Sequence, residues 1–322
     1  MGELHLNLVQ REIDILSLLD HPHIIRYFRT YYDNDYYYII LEEGKKDLYE
    51  WLISKNDFID ELNAKKIIYN ILKVLNYLHI FKICHGDIKP DNILLFGKDL
   101  SFIKLIDFGV SSQKYSYCPN SIGTRAYLPP EFYEDPNQIS IKLDVWSLGV
   151  TLFQIINGYL PFGENSDKRL EFRICNEKLT FENSKISFLC NDIINKMLEK
   201  NCENRLSVSE LLNHPWFNDI KNSQTKRLNC ENIIQKLKEF KSLDPFLRLF
   251  HTLLARFIPF SEVEKITEDF EILDTLFNGV VSDEELKVKF PSLTKEDIKS
   301  CVGLKNFITY SEFIAEIGRA HV

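Results

Sequence analysis

Apolar residues along the chain fall into runs whose spacing switches between helical and extended. Leu8, Ile13, Leu16 and Leu19 make one stripe at helical spacing, ended by His21-Pro22, which predicts a helix over 8–19. Ile24–Tyr32 and Tyr36–Leu41 are rich in β-branched and aromatic residues, and Asp33-Asn34-Asp35 between them predicts a hairpin. From Glu61 to Phe81, the positions Ile67, Ile68, Ile71, Leu72, Leu75 and Leu78 fit a long buried helix. Short strand-like runs, Asn92–Phe96 and Phe102–Ile106, flank a turn at Gly97-Lys98-Asp99. After Leu143 the pattern is mainly helical. Residues 218–231 are polar and mixed in charge, which marks a boundary, and Ile233–Phe257 reads as helix broken at Pro245. No long-period repeat appears in 1–217.

Composition narrows the class. At 322 residues the chain has room for about two domains at roughly 150 residues each. With 45% hydrophobic and 27% charged residues, wholesale disorder is excluded. The net charge of −8 gives no global basic field for nucleic acid, so no nucleic-acid partner is expected. No apolar run reaches the roughly 18 residues a membrane span needs. Met1–Leu6 lacks the basic and apolar regions of a signal peptide, and Leu6 stands where myristoylation wants Ser or Thr. The 7 cysteines are scattered without a C-x-x-C pair, which implies reduced thiols and a cytoplasmic or nuclear location.

The chemistry concentrates in His85-Gly86-Asp87-Ile88-Lys89-Pro90-Asp91-Asn92-Ile93-Leu94, followed by Asp107-Phe108-Gly109 after an apolar strand. Phosphoryl transfer needs a carboxylate to accept the proton of the incoming hydroxyl and a cation near the moving group. It also needs oxygen ligands for Mg²⁺, such as an amide and a second carboxylate. With these motifs the chain resembles the eukaryotic Ser/Thr protein kinases. The resemblance implies Asp87 as catalytic base, Lys89 on the γ-phosphate of ATP, and Asn92 and Asp107 as Mg²⁺ ligands. Further landmarks follow in order. Gly123–Glu131 resembles the substrate-docking loop, with Pro129 in place of the usual Ala. Asp144 opens the central helix and holds the catalytic loop in that family, and Arg205 pairs with Glu131 there. His214–Phe217 closes the lobe. Upstream, Glu12 matches the helix-C glutamate, Leu41 the gatekeeper, Glu42 and Glu43 the hinge, and Asp47 the ribose-contacting acid.

Two departures stand out. No G-x-G-x-x-G loop and no strand Lys precede Glu12, which points to truncation of a larger kinase rather than a catalytically impaired product. Gly86 replaces the Arg that usually grips an activation-loop phosphate, so Ser111, Ser112, Ser116 and Ser121 read as solvated loop residues, not required phosphosites. His21, His79, His214 and His251 lack ligand spacing and read as packing or capping residues. Tyr36–Tyr38 read as strand and core residues.

Residues 233–315 resemble the junction and calmodulin-like tail of calcium-dependent protein kinases, with an autoinhibitory-like segment that docks intramolecularly. Asp274–Glu285 aligns with a 12-residue EF-hand loop: Asp274 at position 1, Asn278 at 5, Gly279 at the turn, Ser282 at 9 and Glu285 at 12. Leu276 at position 3 offers no side-chain oxygen, so Ca²⁺ binding is expected to be weak. A second unit, 294–302 and 307–315, is about five residues short of a full loop and should pair poorly with the first. Glu316–Val322 matches a translated sequencing adaptor and is set aside from fold reasoning.

The resulting expectation is an α+β, protein-kinase-like chain. Residues 1–43 would be an N-lobe remnant, 44–217 a mostly helical C-lobe, 218–260 the junction, and 261–315 a degenerate EF-hand-like α domain, followed by the scar at 316–322. It would use ATP and Mg²⁺ on protein Ser/Thr substrates. The rival is an inactive pseudokinase scaffold.

Overall fold

The computed structural model describes residues 3–33, 36–55, 58–96, 100, 102–113, 123–134, 140–164, 166, 168–181, 186–223 and 230–318. The chain divides into two compact units, one of Met1–Leu18 with His23–Ile220 and one of Leu19–Pro22 with Lys221–Val322.

The first unit opens on α1 (Glu3–Leu18), which starts five residues before its apolar stripe. The added turn comes from Glu3–Asn7, a polar and apolar mix that the stripe does not register. β1 (Tyr27–Tyr32) and β2 (Tyr37–Leu41) pair antiparallel from Tyr32↔Tyr37 to Tyr27↔Leu41, with a bulge between Tyr27 and Arg29. His23–Arg26 stays outside this ladder because its backbone serves a later strand: Leu105 N donates to His23 O and Ile25 N to Leu105 O. Tyr36 and Tyr38 are exposed, 61% and 47%, so they are not core residues; with Ile40 they alternate with the partly buried Tyr37, Ile39 and Leu41.

β3 (Lys46–Asp47) leads into α2 (Leu48–Lys55). α3 (Glu61–Ile80) starts where the Asp60 side chain accepts from Asn63 N at 3.0 Å, and it is buried along nearly its whole length. β4 (Ile83–Cys84), a 3₁₀ turn at Pro90–Asn92, β5 (Ile93–Leu95), β6 (Ile103–Leu105) and β7 (Ser112–Gln113) follow. They form a β3-β5-β6 sheet and a separate β4-β7 pair. The turn expected at Gly97–Asp99 lies outside the described residues. The described elements that follow are helices: α4 (Pro130–Glu134), α5 (Lys142–Asn157), α6 (Leu170–Asn176), α7 (Phe188–Met197), α8 (Val208–Leu212) and α9 (Asn218–Ser223), the last ending beyond Ile220, the final residue of this unit. α5 is buried all round from Leu143 to Phe153 and runs through the core, with Trp146 stacked on Phe162 at 5.7 Å.

The second unit holds α10 (Cys230–Lys241) and α11 (Pro245–Ala255). Between them Pro245 ends the first helix, and the Asp244 carboxylate, accepting from Phe246 N at 2.8 Å, starts the second. Then come α12 (Phe260–Leu273), β8 (Val280–Ser282), α13 (Asp283–Lys289), α14 (Lys295–Val302), β9 (Phe307–Thr309) and α15 (Tyr310–Ile317). Two helix–strand–helix units thus share one short antiparallel pair, Val280↔Thr309, Val281↔Ile308 and Ser282↔Phe307. The short second loop was expected to pair poorly. It pairs over three residues because the pairing needs only the strand at its end, and Ile308 and Val281 bury that strand. Phe270 packs edge-on against Tyr310 and Phe313 at the centre. Glu316 and Ile317, set aside on sequence, form the last turn of α15, and Ile317 belongs to this core.

Candidate active site

A buried carboxylate from a distant helix and two glycines position the segment 85–92. Asp144, fully buried at the start of α5, accepts from His85 N and Gly86 N, both at 2.9 Å, and lies 3.0 Å from His79 Nε2. Burial alone would push its carboxyl up, but His79, His85 and Gly86 N outweigh that and hold it below the ordinary carboxylate range. Gly86 sits at φ +86°, a conformation glycine adopts without strain. A Cβ on Gly123 would stand 2.7 Å from Gly86 O, so the 123–124 loop can come this close only with glycine there.

That approach carries Thr124 onto Asp87. One carboxylate oxygen of Asp87 accepts from Thr124 N (2.9 Å) and Oγ1 (3.1 Å), the other from Lys89 Nζ (2.7 Å) and Asn92 Nδ2 (3.0 Å). Lys89 Nζ also donates to Thr124 Oγ1 at 2.8 Å. A carboxylate only 7% exposed is therefore ringed by four donors, one of them a cation, which fix where its oxygens point.

The metal ligands expected from sequence lie next to it. Ile106 N donates to Asn92 O at 3.0 Å, which locks Asp107 beside Asn92. The Asn92 amide nitrogen is engaged with Asp87 O and Oδ2, so it is the amide oxygen that is left to face a ligand. Asp107 is exposed at φ +64°, a strained backbone for a non-glycine residue, while Phe108 beside it is fully buried and edge-on to His85 at 4.9 Å. An amide oxygen and an accessible carboxylate suit Mg²⁺, so the residues present fit the ion. Glu12 faces the same place: burial and then the Asp107 charge raise its carboxyl, against a hydrogen bond from Phe108 N that lowers it.

The remaining expected residues have other contacts. Leu41 ends β2, and Glu43 is exposed just beyond it. Glu42 N donates to Arg26 O, and its carboxylate pairs with buried Lys104 at 2.5 Å, tying the end of β2 to the strand before Asp107. Asp47 Oδ1 accepts from Glu50 N at 2.7 Å and so caps α2. Arg205 donates to both oxygens of Glu131 at 2.7 and 2.9 Å. Ser111 is fully buried, not solvated, because its hydroxyl donates to His85 O at 2.9 Å. Ser112 lies in β7, and Ser116 and Ser121 lie outside the described residues. Thr124, His79 and Lys104 were not singled out as site residues; only Thr124, next to Gly123, carried a local signal. A cavity of about 600 Å³ opens beside Lys89, lined among others by Tyr49, Phe58, Asp91, Tyr127 and Glu164.

In the tail, Asp274 accepts from Asn278 N (3.1 Å) and Gly279 N (2.9 Å), and Asn278 Oδ1 from Val280 N (3.1 Å). One oxygen of Glu285 accepts from Thr275 N (2.7 Å), Thr275 Oγ1 (3.0 Å) and Leu276 N (3.0 Å). The other accepts from Ser282 N (3.0 Å) and Oγ (2.8 Å).

Residues 2–217 match the model of the protein kinase domain family. Over 288 residues the chain is 32% identical to Calcium-dependent protein kinase 3 of Plasmodium yoelii yoelii, covering 86% of this chain and 53% of that protein. It is 31% identical over 301 residues to Calcium-dependent protein kinase 11 of Arabidopsis thaliana, covering 91% and 60%. With Calcium-dependent protein kinase 5 of Plasmodium falciparum it shares 31% over 294 residues, covering 86% and 50%. The chain spans about half the length of the curated relatives it matches.

Proposed function

This chain belongs to the protein kinase family, and from that premise we propose that it transfers the γ-phosphoryl group of ATP to Ser or Thr hydroxyls of proteins. The observation that carries the reading is the cluster on Asp87, where Lys89, Asn92 and Thr124 converge on one buried carboxylate beside Asp107. Asp87 accepts the proton of the attacking hydroxyl. Lys89, held between Asp87 and Thr124, presents a cation to the moving phosphoryl group. Asn92 and Asp107 would hold Mg²⁺, which when bound offsets charge on the phosphates. Leu41, Glu42 and Glu43 would border the adenine, and Asp47 the ribose. Asp91 and Glu164 in the neighbouring cavity favour a substrate with a basic side chain near its phosphoacceptor. The tail, as a paired helix–loop–helix region like the calmodulin-like part of calcium-dependent kinases, would serve as a regulatory segment of the same protein.

Asp87→Asn tests the central role. It keeps the size of the side chain but removes the base and turns one acceptor into a donor, so transfer to a Ser peptide should fall by about 10²–10⁴-fold while calorimetric binding of Mg-ATP persists. Transfer unchanged in Asp87→Asn would refute the assignment. The rival scaffold reading requires that wild type, extended upstream to include a Gly-rich loop, also fails to transfer.

A further inference from the structure

The loop 274–285 has the spacing of a Ca²⁺ loop, yet both oxygens of its position-12 carboxylate, Glu285, are already crowded with hydrogen-bond donors. A calcium ion asks for 6–8 oxygen ligands, with the residue at position 12 bidentate. Here both oxygens of Glu285, the position-12 residue, accept five hydrogen bonds from the loop itself. Both oxygens of Asp274 accept backbone N–H groups, and so does Asn278 Oδ1. Leu276 supplies no side-chain oxygen; its side chain is 59% exposed, while its N–H points at Glu285. The loop thus presents N–H donors toward the carboxylate that a cation would need. Glu285 is 4% exposed and Asp274 equally so, which makes these bonds costly to break.

We propose that Glu285 closes this loop in place of a metal ion. Its carboxylate works as an internal latch, pinning positions 2 and 3 of the loop to the start of α13. Through Ser282 the latch fixes the β8–β9 pair, whose Val281 and Ile308 are fully buried. The bonds to Ser282 alone would be an ordinary capping box; those to Thr275 N and Leu276 N are what span the loop. The second unit is accordingly held in one closed arrangement whatever the calcium concentration. This inference rests on reading 274–285 as a 12-residue loop.

Thr275 and Leu276 are exposed residues, so their amides would exchange rapidly were they not bonded to Glu285. Hydrogen exchange on the full chain therefore reads the latch directly. In wild type both amides should exchange slowly, and within about twofold of each other's rates in EGTA and in about 1 mM CaCl₂, above the sensor range. Glu285→Gln should speed both at least ~10-fold in either buffer. If that variant fails to fold, the wild-type comparison decides alone. Fast exchange in EGTA that calcium slows more than about tenfold would overturn the latch. Calorimetry with CaCl₂ gives a second readout. Saturable binding lost in Glu285→Gln overturns the latch but keeps the register, whereas binding retained in Glu285→Gln overturns both. Neither readout depends on phosphoryl transfer, so failure of the kinase reading leaves the latch standing, and failure of the latch leaves the kinase reading standing.

Discussion

Arg205→Ala removes the cation from a pair sealed inside the first unit. Arg205 is 1% exposed and Glu131 5%. The guanidinium binds both Glu131 oxygens, and in addition donates from Nε to Glu199 O at 2.9 Å and from Nη1 to Lys142 O at 3.0 Å. Stranding a buried carboxylate costs about 3–5 kcal/mol. The two carbonyl bonds add roughly 1 kcal/mol each. A total of about 5–7 kcal/mol, at ~2–4 °C per kcal/mol for a unit of this size, lowers the melting temperature by about 10–28 °C. Tryptophan fluorescence is a selective assay, since all 3 tryptophans (51, 146 and 216) lie in the first unit. Arg205→Met with Glu131→Leu should recover most of the loss, because replacing both charges leaves neither one unpaired. A melting shift under about 3 °C for Arg205→Ala would refute the reasoning.

Asp107→Asn should abolish Mg²⁺-supported transfer and leave the tryptophan melting curve unchanged, since Asn tolerates the φ of +64°; retained activity with Mg²⁺ would contradict its role. Asp144→Leu should loosen the catalytic loop by freeing His85 N and Gly86 N, read as faster amide exchange at both positions and a lower melting temperature. In wild type the Asp144 carboxyl is depressed, so its contribution is present above pH ~4, the ordinary Asp value, and lost as pH falls through the folded value. Glu316 behaves oppositely. Lys241 stands 3.2 Å away but without hydrogen-bond geometry to either carboxylate oxygen, and burial pushes the group up to about 8. A raised carboxyl contributes stability that is full below the ordinary Glu value of 4.5 and lost as pH rises through 8. Calorimetric melting of the second unit should therefore fall between pH 5 and 8 by several degrees, and Glu316→Leu should flatten that dependence; a flat wild-type profile would count against it.

The motifs were legible because they combine short spacing with unusual residue types. Asp87, Lys89 and Asn92 lie within six positions, and Asp107 follows an apolar strand, so one stretch of sequence nearly contains the site. The long helix 61–80 was legible from a sustained apolar period, while its capping residue, Asp60, emerged only from the structure. What was hidden depends on distant partners. Lys104 looks like a strand residue until Glu42, 62 positions away, takes its charge. His79 gains meaning only from Asp144, and Ser111 only from the carbonyl of His85. Hydrophobic pattern also misplaced Tyr36 and Tyr38, because alternation in a two-stranded sheet does not say whether anything covers the second face. In the tail, ligand spacing suggested an ion, whereas hydrogen bonding decides what the oxygens of Glu285 are doing.

The most direct measurement is transfer of radiolabelled γ-phosphate from Mg-ATP to protein, followed by phosphoamino acid analysis, on wild type extended upstream to include a Gly-rich loop and strand Lys. Label in phosphoserine or phosphothreonine, absent from the matching Asp87→Asn chain, is the predicted result. No label from the extended wild type, or equal label from Asp87→Asn, would contradict the account.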